Sequence, residues 1–170
     1  MSETITLSDA LRRIKAVKGD IARWSALFPA SNVWAEDQPR PAYVLAEVEG
    51  NLHTLTAQLV TLKTALTIAN STCTITFDDR QLTLAEACYR LAENKSRQTV
   101  YAGLITASEK ESMIDRRVYD EASKIVNVKV KQHSPVTTRE KDAALKALRD
   151  EFAVLNSLLE RANNTNTISI

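Results

Sequence analysis

Glycine, proline and aromatic residues are all scarce in this sequence. Three glycines, four prolines and 5% aromatics among 170 residues fit long uninterrupted helices. There are two cysteines, Cys73 and Cys88. Their spacing makes no metal-like pair, and free thiols in a reducing cytoplasm are the expectation. Charge of one sign is also missing. With 22 basic and 21 acidic residues the net charge is +1, which argues against a general nucleic-acid binder or a polybasic membrane binder. No apolar run approaches 18 residues, so no membrane span is expected. The opening MSETITLSDALRRIK is polar and lacks the apolar core of a secretion signal. GxSxG, P-loop, HExxH and Gly-rich phosphate motifs are absent too. A cytoplasmic, non-enzymatic protein without cofactor or metal follows as the expectation.

What the chain has is heptad spacing. Between Pro41 and Asn70, apolar residues fall at Leu45, Val48, Leu52, Leu55, Leu59, Leu62 and Leu66, in alternating steps of three and four. Pro41 suits a first helical turn, and Asn70 tolerates the left-handed conformation of a helix end. An earlier stripe, Leu7, Leu11, Ile14, Val17, Ile21 and Trp24, predicts a helix from Ser8 to Leu27, opened by Thr6-Leu7-Ser8-Asp9. Residues 29–40 read as a loop. The second helix should return antiparallel on the first, since both seams need cover.

Thr72 to Phe77 reads as a short strand, Asp78-Asp79-Arg80 as a turn, and Thr83-Leu84-Ala85-Glu86 as a capping box opening a third helix to about Ser108. Residues 109–136 form a long connection or arm, with a helical extension to about Val126 and then alternation at Val126, Val128 and Val130. Its basic residues, Arg116, Arg117, Lys124, Lys129 and Lys131, are largely offset by neighbouring acids. Thr137-Thr138-Arg139-Glu140 opens the last helix, whose seam runs Leu145, Leu148, Phe152, Leu155, Leu159 and Ala162.

Two pairs of segments match in the same order. T-L-x-acidic-A-x-x-R-aliphatic occurs at Thr6–Ile14 and at Thr83–Leu91, and A-N-x-T-x-T-I at Ala69–Ile75 and at Ala162–Ile168. These matches predict one helical domain over 1–170 made of two repeats, about 4–77 and 81–170. The fold class expected is mainly α: long antiparallel hairpins in an internally duplicated, coiled-coil-like four-helix bundle, with short β-strands at the helix ends. The two A-N-x-T-x-T-I strands are expected to pair with each other.

The T-L-x-E-A start at Thr83, the A-N-x-T ending the central helix, and L-N-x-L-L-x-x-A-N at Leu155 to Asn163 resemble the septicolysin-like family of small bacterial and phage proteins. The resemblance covers most of the chain from Leu45 onward. It implies a helical fold and a function not yet characterised. The family name implies a pore-forming toxin.

The repeats also bring polar residues together. In an antiparallel hairpin, Arg13 would lie near Asn70, Thr72 and Thr74, and in the second copy Arg90 near Asn163, Thr165 and Thr167. Arg offers a fork for carboxylate or phosphate, Asn and Thr offer donors and acceptors, and helix N-termini add partial positive charge. Equally, Asn caps helices, Thr favours strands and Arg is solvated. His53 and His133 lie far apart, and Trp34 sits in a loop. The expected function is a homo-oligomeric helical binding protein that holds or sequesters a small phosphorylated or nucleotide ligand, as phage immune-signal sponges do. The alternatives are a structural protein–protein interaction module and a septicolysin-type toxin.

Overall fold

The computed structural model describes residues 3–107, 112–119 and 124–170. Its class is mainly α. In chain order the elements are β1 (Thr4–Thr6), α1 (Leu7–Asn32), α2 (Leu45–Thr72), β2 (Thr74–Phe77), β3 (Arg80–Thr83), α3 (Leu84–Ala102), β4 (Ser112–Tyr119), β5 (Ile125–Gln132), α4 (Thr138–Thr165) and β6 (Thr167–Ser169). The described strands form three two-stranded antiparallel pairs, β1–β6, β2–β3 and β4–β5. The chain groups into two compact units, Met1–Cys88 with Ser157–Ile170, and Tyr89–Asn156.

The starts of α1, α3 and α4 follow the local chemistry of Thr and a carboxylate three residues on, whereas α2 begins after Val44 without a side-chain cap. The Thr6 hydroxyl oxygen accepts the Asp9 N–H at 3.0 Å. Thr83 and Glu86 close a full box: Glu86 N–H donates to the Thr83 hydroxyl at 3.2 Å, and Thr83 N–H donates back to the Glu86 carboxylate at 2.7 Å. Thr137 and Glu140 repeat it at 3.2 and 2.8 Å. Two N–H groups that a bare helix end would leave unsatisfied are thereby satisfied at each box. These N–H donors stabilise the charged carboxylates and hold Glu86 and Glu140 below the ordinary carboxylate value.

In the first unit α1 and α2 pack side by side. The chain direction reverses between them: Trp24 meets Tyr43 edge-on at 5.0 Å near the connection, whereas Val17 shares a groove with Thr61 and Leu62 farther along. Both helix boundaries at the connection differ from expectation. α1 runs through Pro29 to Asn32, burying Ser31 one turn beyond Leu27. α2 begins at Leu45 rather than Pro41. Pro39 and Pro41 disfavour helix in the residues before them, and Tyr43 is held against Trp24 outside the helix.

The strand partners also differ from expectation. The A-N-x-T-x-T-I strands do not pair with each other. β2 pairs with β3, and β6 pairs with β1. The cause at β2 is a two-residue turn, Asp78 and Asp79, both with positive φ (48° and 59°), the hairpin geometry that matches strand twist. The resulting corners are built alike. Thr74 lies opposite Thr83 and Thr167 opposite Thr6. Leu84 N–H donates to the Cys73 carbonyl at 3.0 Å, and Leu7 N–H to the Asn166 carbonyl at 3.1 Å. Leu7 and Leu84 are fully buried, as are Ala10 and Ala87 one turn on. Ile75 and Ile168 point inward from their strands and are buried, Ile75 near Ala162 and Ile168 near Ala69.

In the second unit α3 ends at Ala102, short of Ser108. Lys141 Nζ donates to the Ala102 and Leu104 carbonyls at 2.8 and 2.7 Å, placing a cation on orphan acceptors at that helix end. The expected helical extension fails over 112–119, which is strand β4, and at 125–126, where β5 begins; its parts at 109–111 and 120–123 lie outside the described residues. β4 pairs along its length with the Val-rich β5, setting Asp115 opposite Lys129 and Val118 opposite Val126. That ladder pairs backbone groups that either strand alone would leave unpaired. In the polar middle of α3, Asn94 is buried and accepts from Gln98 Nε2 at 2.7 Å.

Full burial sets the energetic weight of the corner leucines, each contributing roughly 1.5–3 kcal/mol by transfer alone. Leu84→Ala should therefore cost about 2–5 kcal/mol in urea unfolding. Leu11→Ala, whose side chain is 45% exposed, should cost well under that.

Candidate functional site

Two small depressions form where helices finish in the first unit. One, of about 270 Å³, is lined by Ala65, Ile68, Ala69, Thr72 and Cys73 of one helix end and by Thr167, Ile168 and Ser169 of β6. The other, of about 380 Å³, is lined by Leu158, Arg161, Ala162, Thr165 and Asn166 and by Thr74, Ile75 and Thr76 of β2. Counted from the shared Ala-Asn pair, the two sets correspond residue for residue. The end of each long helix thus meets the strand that follows the other.

This arrangement brings some predicted residues together and separates others. Thr72 shares a depression with Thr167, and Thr165 with Thr74, so the threonines meet across the repeats and not within them. Thr72 and Thr165 each spend their hydroxyl proton on their own helix, donating to the Ile68 and Arg161 carbonyls at 3.0 Å. Thr74 and Thr167 stand exposed on their strands, and Asn70 and Asn163 are half-buried in the last helical turns. Arg90 belongs to the second unit, where its Nε donates to Glu151 Oε1 at 2.7 Å. Arg13 lines neither depression.

The cation in the larger depression is Arg161, which reading from the sequence overlooked. Its counterpart in the other depression is Ile68, so the repeat pattern carried no Arg at that place. Arg161 lies in the last turns of α4, where the helix dipole already favours a cation and disfavours an anionic ligand.

Arg13 lies instead in a larger groove between α1 and α2. It holds about 760 Å³ and is lined by Glu3, Arg13, Ala16, Val17, His53, Thr54, Ala57, Gln58, Thr61, Leu62 and Ile170. Its floor is apolar, through Val17 and the buried Leu62, with Ala16 and Ala57 exposed beside them. One wall is polar, through Thr54, Gln58 and Thr61. At one end the Arg13 fork grips Glu3, Nη1 donating to Oε2 at 2.7 Å and Nη2 to Oε1 at 2.5 Å. Glu3 is fixed in turn by its backbone, which exchanges hydrogen bonds with Ile170 at 3.0 and 2.9 Å and extends the β1–β6 pair. The pair is open to solvent. Sequence spacing missed Glu3, because nothing local shows that β1 would fold back beside the second turn of α1.

Volume and composition place this groove within the range of small-molecule sites: mostly apolar lining with a few convergent polar groups. The guanidinium fork is its only formal cation, and His53 lies on the opposite wall.

No family model matches the chain, and no curated protein matches it. It is similar to a solved structure described as the crystal structure of a functionally unknown conserved protein from Corynebacterium diphtheriae. The two share 17% identity over 98% of this chain and 99% of that one, with a TM-score of 0.71. At that identity the likeness is one of fold alone. Among the described residues, no helix is long and apolar enough to cross a membrane.

The Glu3 carboxyl is held below its ordinary value of 4.5, first by the hydrogen bond from Arg13. A depressed carboxyl favours the folded state above its unfolded value, and that contribution fades as pH falls through the folded value. An NMR titration should show the Glu3 midpoint below 4.5 and returning toward it in Arg13→Ala.

Proposed function

We propose that this chain is a non-enzymatic, homo-oligomeric helical binding protein, and that its ligand lies in the α1–α2 groove beside Arg13. The observation carrying the reading is the guanidinium fork held at one end of an apolar-floored groove of about 760 Å³. The ligand is a small molecule with an apolar or planar body and one anionic group, a class that includes nucleotides. Its carboxylate or phosphate takes the place of the Glu3 carboxylate on Arg13, since both present paired oxygens to the same fork. Displacement is cheap because a solvent-exposed ion pair contributes little stability. The polar wall of Thr54, Gln58 and Thr61 then offers donors and acceptors along the ligand's length.

A second reading, a structural module for another protein, is favoured by the α1–α2 connection. Val33 (74% exposed), Val44 (67%) and Trp34 (47%) present apolar surface there.

A thermal-shift and calorimetric screen of nucleotides, inorganic phosphate and aryl carboxylates tests the first reading. At least one anion should raise the melting temperature. Arg13→Ala should weaken its binding about tenfold or more, the factor that about 1.4 kcal/mol of lost interaction gives, and Glu3→Ala should tighten it. No stabilisation by any anion, or binding indifferent to Arg13→Ala, would leave the module reading in its place.

A further inference from the structure

The charged end of the α1–α2 groove holds an anion as well as a cation. Glu3 and Arg13 both line it, and apart from His53 they are the only titratable side chains among the described lining residues. Glu3 cannot leave when the fork is taken. Its N–H donates to the Ile170 carbonyl at 3.0 Å, and its carbonyl accepts the Ile170 N–H at 2.9 Å, next to the Thr4–Ser169 pair. A side-chain rotation can swing the carboxylate off Arg13, yet its Cα stays where β1 and β6 hold it. A ligand whose only charge is negative would then sit on Arg13 with a like charge beside it. A ligand with an ammonium next to its carboxylate turns that repulsion into a second ion pair. One contact is exchanged for two: Arg13 takes the carboxylate through its fork, and Glu3 takes the ammonium and its N–H donors. No charge is left alone.

We propose that the groove holds an α-amino acid with a large apolar or aromatic side chain, its carboxylate on Arg13 and its ammonium on Glu3. The proposal rests on the binding reading above and names the ligand class. Adjacency selects an α-amino acid. Arg13 Nη1 lies 2.7 Å from Glu3 Oε2, so the two ligand groups that part them must themselves be neighbours. An α-amino acid carries both on one carbon, whereas an ω-amino acid or a peptide holds them apart. The floor selects the side chain. It leaves the charged end over Val17 and the buried Leu62, beside the wall of Thr54, Gln58 and Thr61. The α2 lining runs from His53 to Leu62, about 13 Å of helix at 1.5 Å per residue. A ring or a long aliphatic chain covers part of that floor and gains from leaving water; a single methyl gains far less. The polar wall offers partners to a ring hydroxyl or an indole N–H.

Calorimetric titration of the full chain with compounds that share one ring tests this. Phenylalanine carries both charges, hydrocinnamate only the carboxylate and phenethylamine only the ammonium. Phenylalanine, or tryptophan or leucine against the matching acid and amine, should bind about tenfold or more tighter than either, and alanine should bind far more weakly. Glu3→Gln should weaken the amino acid about tenfold and strengthen hydrocinnamate, a reversal of sign that a merely structural role for Glu3 does not give. Arg13→Gln should weaken both. Circular dichroism checks that each variant keeps its helices, and the comparison among ligands on the wild-type chain stands without any variant. Amino acids that bind no better than their deaminated acids, or Glu3→Gln that leaves the amino acid unweakened, overturn the proposal. Inorganic phosphate and nucleotides titrated on the same samples separate the two ideas. Anions held through Arg13 without preference for an amino acid keep the groove and remove its zwitterionic ligand; a chain indifferent to amino acids and anions alike removes both.

Discussion

Helix ends impose the constraint on which this structure depends. Each α-helix leaves its first N–H and last C=O groups without partners inside the helix. This chain answers with the same corner twice. Cys73 N–H turns back to the Ala69 carbonyl at 2.8 Å, and Asn166 N–H to the Ala162 carbonyl at 2.9 Å. The carbonyls of Cys73 and Asn166 then accept from Leu84 and Leu7, the first residues of the helices that follow in space. A short antiparallel pair carries each link, and Thr6 or Thr83 turns the incoming strand into a capped helix. The buried Leu7 and Leu84 seal the joints with apolar contact. Local hydrogen-bond demand, more than the heptad seams, decides where α1 and α3 start and where α2 and α4 stop.

The parts legible in the sequence are those whose chemistry is local. Thr followed three residues later by Glu is readable at Thr83 and Thr137 because the two side chains complete the motif by themselves. The seam of α2 is readable because one side of it must be apolar. Strand β3 is not. Arg-Gln-Leu-Thr has no β-branched run, and the residues become a strand only because β2 lies opposite. The turn before it is readable at Asp78-Asp79-Arg80, although Asp78 and Asp79 take the left-handed geometry usually signalled by Asn-Gly. β4 contains Asp115, Arg116 and Arg117 in a row, a sequence that lacks strand alternation and acquires its form from β5.

The same distinction explains the site. The threonines lie where the long helices finish, but they meet across the repeats and without Arg13 or Arg90, since pairing across a corner is a tertiary choice. Arg13 sits seven residues beyond Thr6, roughly 10 Å along the helix axis at 1.5 Å per residue. That distance carries it out of the corner and into the α1–α2 groove. There it meets Glu3, brought alongside by β1. The strand pair that closes the corner therefore also positions the carboxylate that occupies the fork. His53, Ala57 and Thr61 of the groove and Ile68, Ala69 and Thr72 of the corner all belong to α2, so corner and groove lie along one helix.

Native-state hydrogen exchange at two backbone amides tests this account most directly. If the corners fix the helix ends, the N–H groups of Leu7 and Leu84 should be among the slowest in the chain, exchanging only with global unfolding. Exchange at those two amides as fast as at fraying helix ends, while the mid-helix amides of α1 and α2 stay protected, would contradict it.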